Sequence, residues 1–540
     1  MDGKRIIQLQ EQLESARTTT DGVWADVARY VVPELNGRFG GGGAVSNNRP
    51  EIGYALDTMP SVALDRCAAI MTQLATPHEQ EYHELRVSDD VLNDKVRVQR
   101  WLASVNQIIR RRRYGSRANF RRPADAMYRG ITGFGSGAVM LVDGKDEGPK
   151  YAPVPIYNLF LATDPFGLID RAHRRLRWDA KDIVRQFDPA RVPEKIRDDA
   201  NKDKSEQHEI IHAIWPAGTI DPLRKDAAGM PFRSYYVLRD SKVVLEEGGY
   251  WKWPLPVFRY QVTDHDPYGW SPAMKAMGDI KSLQAYAQGN MEAAHAGLKP
   301  VLLAKADAVL PRNLQPGTVL PGGLDYSGNP TIRPLIEGRQ FQPAMELMAS
   351  IKETINDHFL VRMIQFLVDS PQMTATEVLQ NAREQGILFA PTANLLYGDE
   401  ALMGMIGWEL DNASRNGALP EPPPELMEAY GDQASIEVEF DSPMTRNMQA
   451  DKAVGIIKTY EFAGGIAQYD PTVMDSLDHD EALRYVSRFG GAPPTIMRPR
   501  DEAEARRQER AQAQQAQQMV EALPKIAGAA KDMSMVDNAA

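Results

Sequence analysis

The chain has 540 residues, with 62 Lys or Arg against 73 Asp or Glu and a formal net charge of −11. A surface that wraps a polyanion tightly would be strongly basic, so this balance argues against that class, while leaving room for a protein past which a charged polymer slides. The single cysteine, Cys67, excludes an intrachain disulfide framework and a thiolate metal site, and 43% hydrophobic residues supply ample core for about three domains or one multi-layer fold.

The N-terminal Met-Asp-Gly-Lys-Arg leads into an amphipathic stretch without the apolar core of a signal peptide, and no run of about 18 apolar residues is present to span a membrane. Ile6, Leu9, Leu13 and Ala16 step by three and four, as do Trp24, Val27, Ala28 and Val31, which predicts a helix for each set, the second stopped by Pro33. Gly37 to Gly43 reads as a glycine-rich loop. Ala63, Cys67, Ile70 and Leu74 mark a further helix ending before Pro77, with Cys67 as a buried, inert thiol. Val98, Trp101, Leu102, Val105 and Ile108 mark another, closing in Arg110 to Arg113, where cations suit a helix C-terminus.

The pattern then turns to strands. Ala138 to Val142, His208 to Trp215, Tyr235 to Leu238 and Val257 to Val262 are candidates. Tyr151 to Thr163 reads as an edge or irregular strand because of its prolines, and Asp164-Pro165-Phe166-Gly167 has turn chemistry. Pro189 to Gln207 reads as a surface helix or loop.

Ser271 is a good N-cap with Pro272 at the first helical position, and the helix it opens runs to about Gly297, roughly 40 Å at 1.5 Å per residue. Its apolar residues repeat by sevens: Ala273, Ile280, Ala287 and Ala294 in one row, and Trp270, Met277, Met291 and Leu298 in the other, interrupted by Gln284. Pro300 to Leu335 is a Pro- and Gly-punctuated β excursion. A second long helix follows from Pro343 to Leu367, so two long helices flank a compact β unit. Asp369 to Met373 is a loop. Thr374 and Glu377 form a capping box for a third long helix, broken or kinked at Pro391 and resumed over Leu395 to Arg415. After the linker Glu421 to Pro424, Ile436 to Phe440 reads as a strand and 445–490 as helical. Asp501 to Leu523 is an Ala/Gln-rich helix without an apolar stripe, stable only in a bundle and otherwise a disordered tail.

Motifs for chemistry are weak. Gly133-Phe-Gly135-Ser-Gly137-Ala138 matches a dinucleotide pattern, but a helix precedes it and a strand follows, the reverse of what that fingerprint needs, so a tight turn is expected. Asp264-His265-Asp266 and Asp478-His479-Asp480 are the residue types of a metal nuclease, without a second constellation to support either. No G-x-S-x-G, Ser-x-x-Lys, H-E-x-x-H or phosphate loop occurs. Arg110 to Arg113 and Arg171 to Arg177 read as solvated faces rather than nucleic-acid contacts.

Several segments, in this order and spacing, resemble one family. Asp266-Pro-Tyr-Gly-Trp-Ser-Pro-Ala-Met-Lys-Ala-Met-Gly-Asp-Ile-Lys281 is similar to the start of the long helix in portal proteins (head-to-tail connectors) of short-tailed double-stranded DNA bacteriophages. Asp57-Thr-Met through Leu74-Ala-Thr-Pro77, Gly133 to Gly137, Val154-Pro-Ile-Tyr-Asn-Leu-Phe-Leu-Ala-Thr-Asp164 and Met373-Thr-Ala-Thr-Glu-Val378 match the same family in turn. The resemblance implies an α+β, mainly helical portal fold. Its parts would be a wing over 1–270, a stem helix over 271–298 and a clip over 299–340. A second stem helix over 341–368, a tunnel loop and kinked wing helix over 369–435, a crown over 436–500 and a barrel helix or mobile tail over 501–540 would complete it.

It also implies a structural, non-enzymatic function: a ring, usually of twelve chains, at one capsid vertex of the virion, through which DNA is packaged and ejected. Terminase and then a tail adaptor would dock on it, beside major capsid and scaffolding proteins, with no cofactor and no membrane partner. Candidate channel residues are Lys275, Lys281, Lys299, Lys305 and Arg312. The candidate tunnel loop is Asp369, Ser370, Pro371, Gln372 and Met373, and candidate stem-packing residues are Met277, Ile280, Ala287, Met291 and Ala294. The alternatives are a DNA-acting metal-dependent enzyme and an internal scaffold that oligomerises through its tail.

Overall fold

The computed structural model describes residues 2–39, 55–298 (except 94, 145–146, 203–205, 222–223, 225 and 264–265), 302–304, 322–334, 342–361, 390–430, 436–489, 497–498, 502–510 and 512–513. The expected α+β, mainly helical class is what these residues form, and the structure gathers their strands into several small antiparallel sheets.

The first helix is one element, Gly3–Tyr30, where the sequence suggests two. The polar run Thr18-Thr19-Thr20 interrupts the apolar stepping because the helix changes partners there. Ile6 and Ile7 pack on one sheet face with Ile211 and Val237, while Trp24, Val27, Ala28 and Val31 enter the main core. Between them the buried Arg17 donates to the carbonyls of Leu159 (2.6 Å), Tyr157 (3.1 Å) and Ile156 (3.3 Å), pairs with Asp21 at 3.0 Å, and lies 3.9 Å over the Phe160 ring. Helix Met59–Ala75 follows, and burial pushes the Cys67 thiol up to about 12, which keeps it inert.

Strand β1 (His83–Val87) has no counterpart in the sequence reading. Its partner, over 340 residues on in sequence, leaves no local signal. Helix Val96–Arg113 packs on it through Leu102, Val105 and Ile109. Helix Arg121–Phe134 ends at Gly135, φ +78°, and turns at once into β2 (Ser136–Asp143). The expected run Tyr151 to Thr163 is two strands, β3 (Pro149–Val154) and β4 (Leu159–Thr163). Pro155 lacks a donor, a 3-10 turn Ile156–Asn158 intervenes, and β4 joins a different sheet.

Strands β5 (Ile169–Asp179), β6 (Gln207–Pro216), β7 (Phe232–Leu238) and β8 (Val244–Tyr250) continue from β4 as an antiparallel meander, in the order β4-β5-β6-β7-β8. β8 has no alternation to read, since it contains Glu246-Glu247-Gly248-Gly249. Helices Ala180–Gln186 and Glu194–Asn201 cover one face with Ile183, Phe187 and Ile196, and the first helix covers the other. β9 (Val257–Arg259) completes a second sheet of order β3-β2-β9.

The long helical element from Ser271 comes next, then β10 (Leu302–Ala304) and β11 (Ile332–Pro334) as an antiparallel pair, and helix Gln342–His358. Residues 374–389 of the expected third helix lie outside the described residues; 390–397 are helical, and the chain breaks at 398–401 before helix Leu402–Arg415. The expected continuous register over Leu395 to Arg415 is lost because Glu400 turns inward, accepting the Ile169 N–H and pairing with Arg259. Helix Pro424–Tyr430 leads to β12 (Ile436–Phe440), which pairs with β1 with Leu85 opposite Val438. Helices Pro443–Ala467 and His479–Phe489 flank a 3-10 turn, and 502–510 are helical, with Arg507 forked onto Asp480.

Candidate channel helices

The base of the long helix is built from crossing backbone segments. The buried Ser271 Oγ accepts the Met274 N–H at 3.0 Å as an N-cap and donates to Gly133 O at 2.8 Å. The Gly269 N–H donates to Ser136 Oγ at 2.8 Å, and Trp270 N–H to Gln261 O at 2.7 Å. Gly135 and Gly269 touch so closely that a Cβ on Gly135 would lie 1.9 Å from Gly269 O, and one on Gly269 would lie 2.3 Å from Gly135 O. The glycine pattern at 133–137 is therefore a packing turn, as its helix-then-strand order predicts. Tyr268, which stacks edge-on against Trp24 at 5.0 Å, accepts the Leu161 N–H at 3.0 Å and ties this base to β4.

The helix itself comes in two segments, Pro272–Lys275 and Met277–Leu298, with Ala276 relaxed between them at φ −80°, ψ 0°. Its first half belongs to the chain's own core: Ala273, Ala276, Met277, Ile280 and Leu283 are all buried there. Gln284, which breaks the heptad row, is buried too. Its Oε1 accepts the N–H groups of Leu56 (2.7 Å) and Asp57 (3.0 Å), and its Nε2 donates to Asp57 O at 2.8 Å. Asp57 Oδ1 in turn accepts the Met59 N–H at 3.0 Å where helix Met59–Ala75 begins, and the Asp57 carboxylate receives Lys352 Nζ at 2.7 Å. Sequence reasoning missed this junction; the one available signal was a lone amide in an apolar row.

Beyond Gln284 the helix emerges. Ala287 is half-buried, Ala294 is exposed, and Tyr286 and Met291 are 39% and 49% exposed. Helix Gln342–His358 runs antiparallel beside it: His358 Nε2 lies 3.5 Å from Asp279, and Asn290 Nδ2 2.8 Å from the Met348 sulfur. The β10–β11 ladder joins the two helices at their far end. Two helices flanking a β unit is what the sequence suggests.

The basic candidates are placed as follows. Lys275 Nζ donates to Gln261 Oε1, and Lys281 Nζ pairs with Asp26 at 2.6 Å, so both lysines are engaged with the body of their own chain. Lys299, Lys305, Arg312 and the loop Asp369, Ser370, Pro371, Gln372 and Met373 lie outside the described residues. Among the described residues no three His, Cys, Asp or Glu side chains cluster as a metal site, and no helix is long and apolar enough to cross a membrane. His479 Nδ1 lies 2.9 Å from Tyr460 OH; Asp264 and His265 are outside the described residues.

The chain is 27% identical over 537 residues to a protein named portal protein from Salmonella phage epsilon15, covering 96% of this chain and 92% of the relative. It is 26% identical to a probable portal protein of Bordetella phage BPP-1, covering 99% and 96%. Among solved structures, it is similar to a chain in the neck of an empty GTA particle computed with C6 symmetry. That match has 12% identity and a TM-score of 0.40, over 82% of this chain and 92% of that one. A chain in the neck of a native GTA particle computed with C12 symmetry matches at 13% identity and a TM-score of 0.36, over 81% and 91%. The model of the family described as bacteriophage head to tail connecting protein matches residues 3–497. With that match spanning nearly its whole length, the chain belongs to the bacteriophage head to tail connecting protein family.

Proposed function

We propose that copies of this chain assemble as a portal ring at one vertex of the capsid, forming the channel for DNA packaging and ejection and the docking site for terminase and then a tail adaptor. Its work is structural and not catalytic. In this reading the wing comprises 1–270 and 369–435, the stem is the helix pair, the clip is the β10–β11 excursion, and the crown spans 436–500, followed by a barrel or tail. Family membership and the names of both relatives support it.

The carrying observation is the division of the helix pair at Gln284. Its near half is packed within the chain. Its far half leaves Tyr286, Met291, Met345 and Leu347 at 39%, 49%, 66% and 44% exposure. Large apolar side chains left exposed on both helices are available for contact with a neighbouring copy, whose own helix pair would cover those that face it. End-on electron micrographs of the purified chain test the reading: rings with a central hole wide enough for a duplex are expected, and a monomer that cleaves DNA with magnesium would overturn it. Charge reversal of Lys275 and Lys299 should leave the rings intact and alter DNA packaging or retention.

A further inference from the structure

A rigid apolar tip and a largely apolar cleft occur on different parts of this chain. The tip is the turn between β4 and β5, Asp164-Pro165-Phe166-Gly167-Leu168. Asp164 Oδ1 accepts the N–H groups of Phe166 and Leu168, each at 2.9 Å. The Asp164 N–H donates to Leu168 O at 2.8 Å, and Gly167 takes φ +83°. The next N–H, that of Ile169, donates to Glu400, which is paired with Arg259. The turn is held from both ends, yet Phe166 is 85% exposed and Leu168 54%.

The cleft, of about 230 Å³, lies between the 3-10 turn Pro33–Leu35, helix Arg121–Phe134 and the ends of β2 and β3. Val32, Leu35, Met127, Phe134, Pro155 and Tyr157 supply its apolar walls. An apolar cavity of about 150 Å³ accepts a benzene ring, so this one has room for a phenyl side chain.

We propose that the Phe166 tip of one copy seats in this cleft on the next copy. The inference rests on the ring reading. A closed ring needs a head-to-tail contact, and therefore two different, complementary patches on each chain. The tip belongs to the five-stranded sheet and the cleft to the three-stranded sheet and its helix, so the two patches are distinct. A tip already fixed by Asp164 loses little conformational freedom on seating, and an aromatic anchor filling a pocket is what dominates such contacts.

Cys67, the sole cysteine, is buried, so engineered thiols report cleanly. Leu168→Cys at the tip, with Phe166 kept, and Ala126→Cys at the exposed rim of the cleft are combined in the full chain and treated with a short bismaleimide. A ladder of covalent multimers up to ring size is expected from the double variant and not from either single one. Separately, Phe166→Asp should reduce ring yield at least tenfold in light scattering, and Phe166→Trp should retain most of it. Rings of normal yield from Phe166→Asp, with no ladder from the double variant, overturn the contact while leaving the ring reading standing. A crosslink confined to the monomer would show the tip filling its own cleft and also overturns it. A wild-type chain that never forms rings overturns the ring reading and this contact together.

Discussion

Arg113 and Glu409, 296 residues apart, form a forked ion pair sealed from water: Arg113 Nε lies 2.9 Å from Oε1 and Nη2 2.5 Å from Oε2, with side-chain exposures of 0% and 2%. Arg113 Nη1 also donates to Tyr82 OH and to His83 Nε2 at 3.2 Å, and Tyr151 OH donates to Glu409. Burial alone would lower the Arg113 pKa, but the Glu409 carboxylate outweighs it and holds the guanidinium well above its ordinary value. Removing one partner leaves a buried, uncompensated charge. Glu409→Ala should therefore destabilise the chain by about 3–5 kcal/mol in denaturant unfolding, whereas replacing both partners with apolar residues of similar volume should restore most of that loss.

Gln284→Leu keeps the apolar row but leaves two N–H groups and a carbonyl at Leu56 and Asp57 without their partner. A loss of about 2–4 kcal/mol is expected, less than three fully buried orphans at roughly 1–3 kcal/mol each would cost, because these bonds are only part-buried. The local signature is faster hydrogen exchange at the amides of Leu56 and Asp57; unchanged exchange there would count against the junction.

Two glycines separate backbone necessity from helix propensity. Gly135→Ala should abolish soluble folding, because its Cβ would meet Gly269 O at 1.9 Å and its φ is +78°. Gly22→Ala, in the first helix with nothing within 4 Å of the new Cβ, should raise stability by about 0.5–1 kcal/mol. Expression and thermal melts of the two variants check both signs.

His173 gives a pH dependence. Buried, with Nδ1 3.1 Å from Gln10 Oε1, its pKa falls from 6.5 to about 4, chiefly through burial and secondarily through the Arg171 charge. The unfolded state binds this proton first. The stability the neutral ring provides is present above pH 6.5 and is lost as pH falls towards about 4. Wild type should lose about 2 kcal/mol more than His173→Gln between pH 7 and pH 5 in urea titrations.

What the sequence made legible was local. Ser271 with Pro272 located a helix start, the stepping Val98 to Ile108 located another helix, and Gly133 to Gly137 in helix-then-strand order excluded a cofactor loop. What stayed hidden depends on distant partners. β12 is read from its own alternation, but its five-residue partner β1 declares itself only when the two are paired. The break at 398–401 exists because Glu400 is needed by Arg259 and Ile169. Gln284 only interrupts a heptad row in the sequence, and its role depends on Leu56 and Asp57, more than 220 residues earlier in the same chain.

The β1–β12 ladder joins His83–Val87 to Ile436–Phe440, and so sets a clock on synthesis. At roughly 5–20 residues per second, the first strand waits on the order of twenty to seventy seconds for its partner to be made. Glu409, the counter-ion of Arg113, comes only slightly sooner. For most of its translation the nascent chain therefore carries a bare strand edge and an unneutralised guanidinium. Truncations that end before Ile436 should accordingly aggregate rather than accumulate as a folded domain.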